Sequence, residues 1–131
     1  MAQTIVEKIL SAHAGLDQCE PGEFIVADID YAMLTDARAP GAMKAVARMQ
    51  EAPLHFVTKT ALVLDHYSPP PHLEAAQIHG KMRAFAQQTG AQIYDIGEGI
   101  CHQLLPEKGH VTSGNLVVGT DSHSVTYGAF N

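Results

Sequence analysis

The sequence predicts an α/β fold: a mainly parallel sheet with flanking helices. Short apolar runs of strand character alternate along the chain with segments whose apolar residues recur at helical spacing, the pattern that builds parallel sheets. Polar clusters also fall at three of the strand ends: Asp65-His66, Cys101-His102 and Asp121-Ser-His123. Parallel strands would bring those ends onto one edge of the sheet, where open α/β folds place their chemistry.

The elements follow in order. Thr4-Ile-Val-Glu7 reads as a capping box, in which a Thr hydroxyl and a Glu carboxylate satisfy the free amides at a helix start. Ile5, Ile9 and Ala12 then share a face, and Gly15 is the stop. Pro21-Gly22 marks a turn, and Phe24 to Ile29 reads as a strand buried through its β-branched residues. Pro40 suits the first turn of a helix running through Ala42, Val46 and Met49. Thr35 and Asp36 precede that helix, where backbone amides favour an anion; a substrate contact and simple capping by Asp36 are equally compatible with this placement.

Ala61 to Leu64 is a short apolar strand, Asp65-His66 a polar loop, and Pro69-Pro-Pro71 a rigid turn. Ala75, Ile78, Met82 and Phe85 recur at helical spacing, and Gly90 ends that helix. Gln92 to Ile96 reads as a strand, Gly97-Glu-Gly99 as a tight connection, and Pro106 to Gly109 as a turn. Leu116 to Val118 forms the last strand and leads into Gly119-Thr-Asp-Ser-His-Ser-Val-Thr-Tyr-Gly128. That segment is either a chemical loop or a turn in which Asp and Ser cap a following helix.

Composition narrows the classes. With 46% hydrophobic and 17% charged residues, the 131-residue chain is globular and long enough for one domain with a real core. Eight basic against fourteen acidic side chains leave a net charge of −6, which argues against a nucleic-acid footprint or a basic membrane patch. No apolar run approaches the roughly 20 residues that span a bilayer, and the first residues lack the basic start of a signal peptide. Two cysteines, Cys19 and Cys101, make no disulfide framework and suit a cytoplasmic, reduced setting.

A carboxylate beside a histidine fixes the imidazole tautomer and raises its pKa, which makes a better proton donor near neutrality. Several such pairs on one rim suit proton transfer to a leaving hydroxyl, or the orientation of a metal-bound water. One Asp-His pair alone is ordinary loop polarity. His13, His55, His72, His79 and His110 lack this context and read as surface or structural, and Cys101 as a small buried side chain. A serine-hydrolase reading of Ser122 fails on the absence of Gly-x-Ser-x-Gly and on its position near Asn131.

Taken together, Glu7 to Leu10, Pro21 to Glu23, Leu64 to His66, Pro69 to Pro71, Gly97 to Gly109 and Gly119 to Phe130 resemble the large subunit of the aconitase superfamily, in its isopropylmalate dehydratase and homoaconitase branch. The resemblance implies an aconitase-type N-terminal domain and stereospecific dehydration and rehydration of 2-hydroxy di- or tricarboxylic acids. Isopropylmalate or homocitrate lead as substrates, with methylmalate-type acids behind them. It also implies a [4Fe–4S] cluster, one iron of which acts as a Lewis acid on the substrate hydroxyl.

By that analogy His66 protonates the leaving hydroxyl and Asp65 orients it. His102, Asp121 and His123 surround the iron-bound water, and Ser122 meets a substrate carboxylate. Asp36 and Thr35 fall in a substrate-contacting region, although Thr35 stands where relatives carry His or Gln. The family's cluster cysteines would lie beyond this chain, so no metal ligand is assigned here, and the substrate-deprotonating serine would lie on a small-subunit partner. The expectation is thus an N-terminal piece, inactive alone, whose uncovered apolar surface favours self-association. The competing expectation is a non-catalytic scaffold or interaction module derived from the enzyme.

Overall fold

The computed structural model describes residues 2–49 and 57–131; His55 lies outside them. Its elements are α1 (Ile5–Ala14), β1 (Tyr31–Thr35), α2 (Ala39–Arg48), β2 (Thr60–Val63), α3 (Leu73–Thr89), β3 (Gln92–Tyr94), α4 (Cys101–Glu107) and β4 (Val117–Gly119), with 3-10 turns at Val57–Lys59 and Ser124–Phe130. The four strands form one sheet in the order β3-β2-β1-β4, and every pair is parallel.

Register follows from which side chains can be buried on each face. Alternate residues point to opposite faces of a strand, and both faces here are covered. Met33, Ala61 and Val63 pack with Cys101, Leu104, Leu105 and Tyr127 on the α4 side. Leu34, Leu62 and Leu64 pack with Met82, Ala86 and Phe85 on the side of α3. A sheet covered on both faces carries near-continuous apolar strands, which is why Ala61 to Leu64 shows no alternation.

Several local expectations hold. The Thr4–Glu7 capping box is formed, and Gly15 closes α1 in the left-handed conformation. Pro40 sits in the first turn of α2, and Gly90 closes α3. Two boundaries move. Pro106 lies inside the last turn of α4, so the turn begins at Lys108. The strand expected at Phe24 to Ile29 is absent; that stretch is irregular, with Phe24 and Val26 fully exposed, and the strand is Tyr31–Thr35. The β-branched content of 24–29 is intrinsically better suited to a strand. Burial between two neighbours decides the matter, because measured β-propensity is largely side-chain packing.

α1 stands apart from the core, with Ser11 its buried residue and Ile5 and Val6 exposed. It is tethered by His13, whose Nε2 donates to Asp30 at 2.7 Å, while the same Asp30 oxygen accepts the Leu116 amide at 2.9 Å. An apolar cleft of about 380 Å³ remains between α1 and β4, lined by Val6, Ile9, Leu10, Val117, Val125 and Tyr127. Among the described residues no helix is long and apolar enough to cross a membrane.

Candidate active site

Register carries the polar residues to one rim. Thr35 pairs with Val63, Val63 with Tyr94, and Met33 with Gly119, so the residues just past β1, β2 and β4 leave the sheet together. β1 has β2 on one side and β4 on the other. The chain order reverses between β1 and β4, and loops part at such a point to leave a crevice at the carboxyl ends.

Asp121 is the centre of this rim. Its Oδ1 accepts from His66 Nε2 at 3.2 Å, and its Oδ2 accepts from His102 Nε2 at 2.9 Å. Oδ2 also accepts from the His123 backbone amide at 2.7 Å and from His123 Nδ1 at 3.1 Å. The His123 amide bond, followed by the imidazole donors, holds the Asp121 carboxyl well below the usual carboxylate range, although burial works against it.

Asp65 supports the rim from β2. Its Oδ1 lies 2.7 Å from His66 Nδ1, and its Oδ2 accepts the Cys101 amide at 2.8 Å. That amide opens α4, whose own preceding residue gives no side-chain cap, so one carboxylate steadies both His66 and the helix that carries His102. A free amide at a helix start is a natural partner for such a group.

His66 therefore has a carboxylate oxygen at each ring nitrogen. Carboxylates accept when ionised, so this arrangement favours the doubly protonated ring, in which both nitrogens donate. Burial opposes that charge, but the bonds to Asp65 and Asp121 outweigh it and raise the His66 pKa above its ordinary 6.5. The linkage has a definite sign. A raised histidine pKa contributes stability that is complete below pH 6.5 and lost as pH rises through the folded value. The depressed Asp121 contributes above pH 3.8 and is lost as pH falls through its folded value. The rim is accordingly strongest between the two. We expect the stability difference between wild type and His66→Asn, followed by denaturant melts from pH 5 to 9, to shrink as pH rises; a difference independent of pH would contradict a charged His66.

Ser122 and His123 are exposed, and Ser122 Oγ lies 3.4 Å from His123 Nδ1. Gly119, just before them, has no room for a side chain: a Cβ there would stand 2.1 Å from Ser124 Oγ and 2.8 Å from Ser124 Cβ. The missing Cβ is what lets the chain fold back so that Asp121 and His123 face the histidines of the other loops.

Thr35 and Asp36, expected to contact substrate, lie at the end of β1 with protein partners. Both are wholly buried. Asp36 accepts from the His66 amide at 3.1 Å, the Tyr67 amide at 2.9 Å and His79 Nε2 at 2.9 Å, which engages both of its oxygens with protein donors. It does not cap α2, whose preceding residue is Arg38 without a side-chain bond. The Thr35 amide donates to Thr120 Oγ1 at 3.1 Å, an unforeseen tie between the ends of β1 and β4. His79, read from the sequence as surface or structural, is buried behind the rim and bonded to Asp36. A signal was present, since Ala75, His79, Met82 and Ala86 form one buried stripe of α3.

Neither cysteine suits iron–sulfur ligation, which needs an accessible thiolate. Cys101 is fully buried, and burial together with Asp65 pushes its thiol far up. Cys19 is also buried and donates to the Glu7 carbonyl at 3.5 Å. The ligand atoms of His102, Asp121 and His123 lie within 4.8 Å of one another, and both imidazoles hydrogen-bond to Asp121 Oδ2.

Fold and rim together define a parallel α/β domain that gathers histidines and carboxylates at the sheet's carboxyl edge. The chain belongs to the Aconitase family (aconitate hydratase), whose model matches residues 7–131. It is 45% identical over 130 residues to the probable 3-isopropylmalate dehydratase large subunit of Methanothermobacter thermautotrophicus, covering 98% of this chain and 31% of that protein. It is 43% identical over 130 residues to the 3-isopropylmalate dehydratase large subunit of Aquifex aeolicus, covering 98% and 30%. It is 41% identical over 131 residues to the 2,3-dimethylmalate dehydratase large subunit of Eubacterium barkeri, covering 98% and 31%. The chain thus spans less than a third of the length of these relatives.

Proposed function

We propose that these residues form the proton-donating rim of a hydro-lyase site that acts on 2-hydroxy di- or tricarboxylic acids of the isopropylmalate or dimethylmalate type. The observation that carries this is His66, whose two ring nitrogens lie against the carboxylates of Asp65 and Asp121 at the open edge of the sheet, an arrangement that favours the protonated ring. Dehydration requires a proton for the departing hydroxyl, and an imidazolium supplies it near neutral pH. Asp65 fixes the ring and compensates its charge. His102 and His123, gathered by Asp121, offer further donors to the departing water. Ser122, exposed beside them, suits a substrate carboxylate.

The chain does not supply everything such a reaction needs. The [4Fe–4S] cluster implied by the resemblance would be held by cysteines outside these 131 residues, because Cys19 and Cys101 do not fit the task. The base that removes the substrate proton would come from a small-subunit partner. The relatives' designation as large subunits supports such a partner. The 131 residues alone are therefore expected to bind without turnover.

A chimera tests this directly. The matching 130 residues of the Methanothermobacter large subunit are replaced by this chain, and the product is assembled with the small subunit of that organism. Dehydration of isopropylmalate and of 2,3-dimethylmalate is then measured. Activity with either acid is expected; a folded, cofactor-loaded chimera that turns over neither would defeat the proposal and favour a non-catalytic module.

A further inference from the structure

We infer that His79 is a positioning residue: through Asp36 it holds the loop that presents His66 at the rim. As a statement about catalysis this rests on His66 being the proton donor proposed above; as a statement about geometry it is independent of turnover.

His79 lies on the buried stripe of α3 and is 1% exposed, while Asp36 is 0% exposed. An isolated carboxylate in such a place is strongly unfavourable unless it is fully hydrogen-bonded. Asp36 meets this need with three donors. Two are the consecutive backbone amides of His66 and Tyr67, and the third is His79 Nε2. The first two fix the backbone at His66. The third comes from a helix whose Ala75, Met82 and Ala86 are packed into the core, so it anchors the carboxylate to a rigid element. The backbone amide of Asp36 itself donates to Val63 at 3.1 Å, which ties the group to the end of β2. Asp36 Oδ1 also lies 3.8 Å from His66 Nδ1, farther than the 2.7 Å of Asp65 Oδ1. Asp36 is thus close enough to compete for the ring if released. With His79 in place it stays on the backbone amides and leaves the ring to Asp65 and Asp121. His79 Nδ1 is buried without a partner, an uncompensated group that costs stability.

The test uses the isotope-labelled 131-residue chain. His79→Leu keeps bulk and removes the donor, whereas His79→Gln keeps a donor. In His79→Leu we expect the His66 and Tyr67 amide protons to shift upfield and to exchange roughly tenfold faster or more, as expected for a locally released loop. The His66 ring signals should move with them, while the amides of Met33 and Leu62 in the paired strands remain protected. His79→Gln should restore the wild-type pattern. Should His79→Leu fail to fold, His79→Met serves instead: it also keeps bulk without a donor and should release the same two amides.

Unchanged His66 and Tyr67 amides in a folded His79→Leu chain would overturn the inference. So would equal loss in Leu and Gln, which would mean that packing and not the hydrogen bond matters. In the active chimera, His79→Leu should lower kcat by roughly tenfold with little change in KM, and Gln should recover it. An inactive chimera with the amide effects intact would sink the proposed function and leave the geometric inference standing; an active chimera without those effects would sink the inference alone.

Discussion

His66→Asn, placed in the active chimera, is expected to lower kcat by roughly 100- to 10,000-fold, equivalent to about 3–5 kcal/mol of barrier. Asn keeps a polar group of similar reach but cannot carry a proton to a leaving hydroxyl. The ring it replaces is held by carboxylates at 2.7 and 3.2 Å, which favour its protonated form and orient it before substrate arrives, so little of the gain is spent on ordering it. A histidine that served only the fold would behave differently: its replacement would cost about 1–3 kcal/mol of stability and leave the rate per folded molecule unchanged. Measuring kcat together with the melting transition separates the two. His123→Asn offers a contrast, because the His123 ring is exposed and, among the described residues, hydrogen-bonds to its neighbours Asp121 and Ser122. Its loss should appear in apparent affinity as well as in turnover. Full specific activity from folded His66→Asn would remove His66 from the mechanism.

Met33→Ala is expected to destabilise the chain by about 2–5 kcal/mol, the usual range for emptying a fully buried methionine site. Met33 is 0% exposed in the central strand, between β2 and β4. Its carbonyl accepts the Thr120 amide at 3.0 Å, and its Cε would lie 3.2 Å from a Cβ at Gly119. The cavity would therefore open directly beneath the turn that leads to Asp121. For a domain whose total stability is of the order of 5–15 kcal/mol, such a loss is a large fraction, and urea melts of the chain would show it as a lower midpoint with an unchanged slope. A shift under 1 kcal/mol would mean that neighbouring side chains close the gap far better than the packing around Met33 suggests.

These two residues mark what was legible in the sequence. His66 could be read locally: an apolar run, an Asp-His pair and a proline-rich turn follow one another within a dozen residues, and each signal depends on its immediate neighbours. The same holds for the Thr4–Glu7 box and the Gly90 stop, where a side chain or a glycine satisfies backbone groups a few positions away. Two of the three polar ends, Asp65-His66 and Asp121-Ser-His123, were legible as well, because alternation of strands and helices implies parallel pairing; Cys101-His102 opens α4 and does not end a strand.

Met33 and its strand were not legible. Tyr-Ala-Met-Leu-Thr has weak strand character, and the more β-branched stretch before it stays on the surface; pairing with β2 and β4 made the choice. Nor could the sequence show that Asp121 collects three histidines from positions 66, 102 and 123, or that Asp36 turns inward to His79, 43 residues away. By itself the sequence determined which residues could do proton chemistry and which elements would carry them, since those depend on local composition and spacing. The tertiary structure alone decided which carboxylate faces which imidazole. That depends on strand register and on the desolvation of each group, and both are set by contacts between residues far apart in the chain.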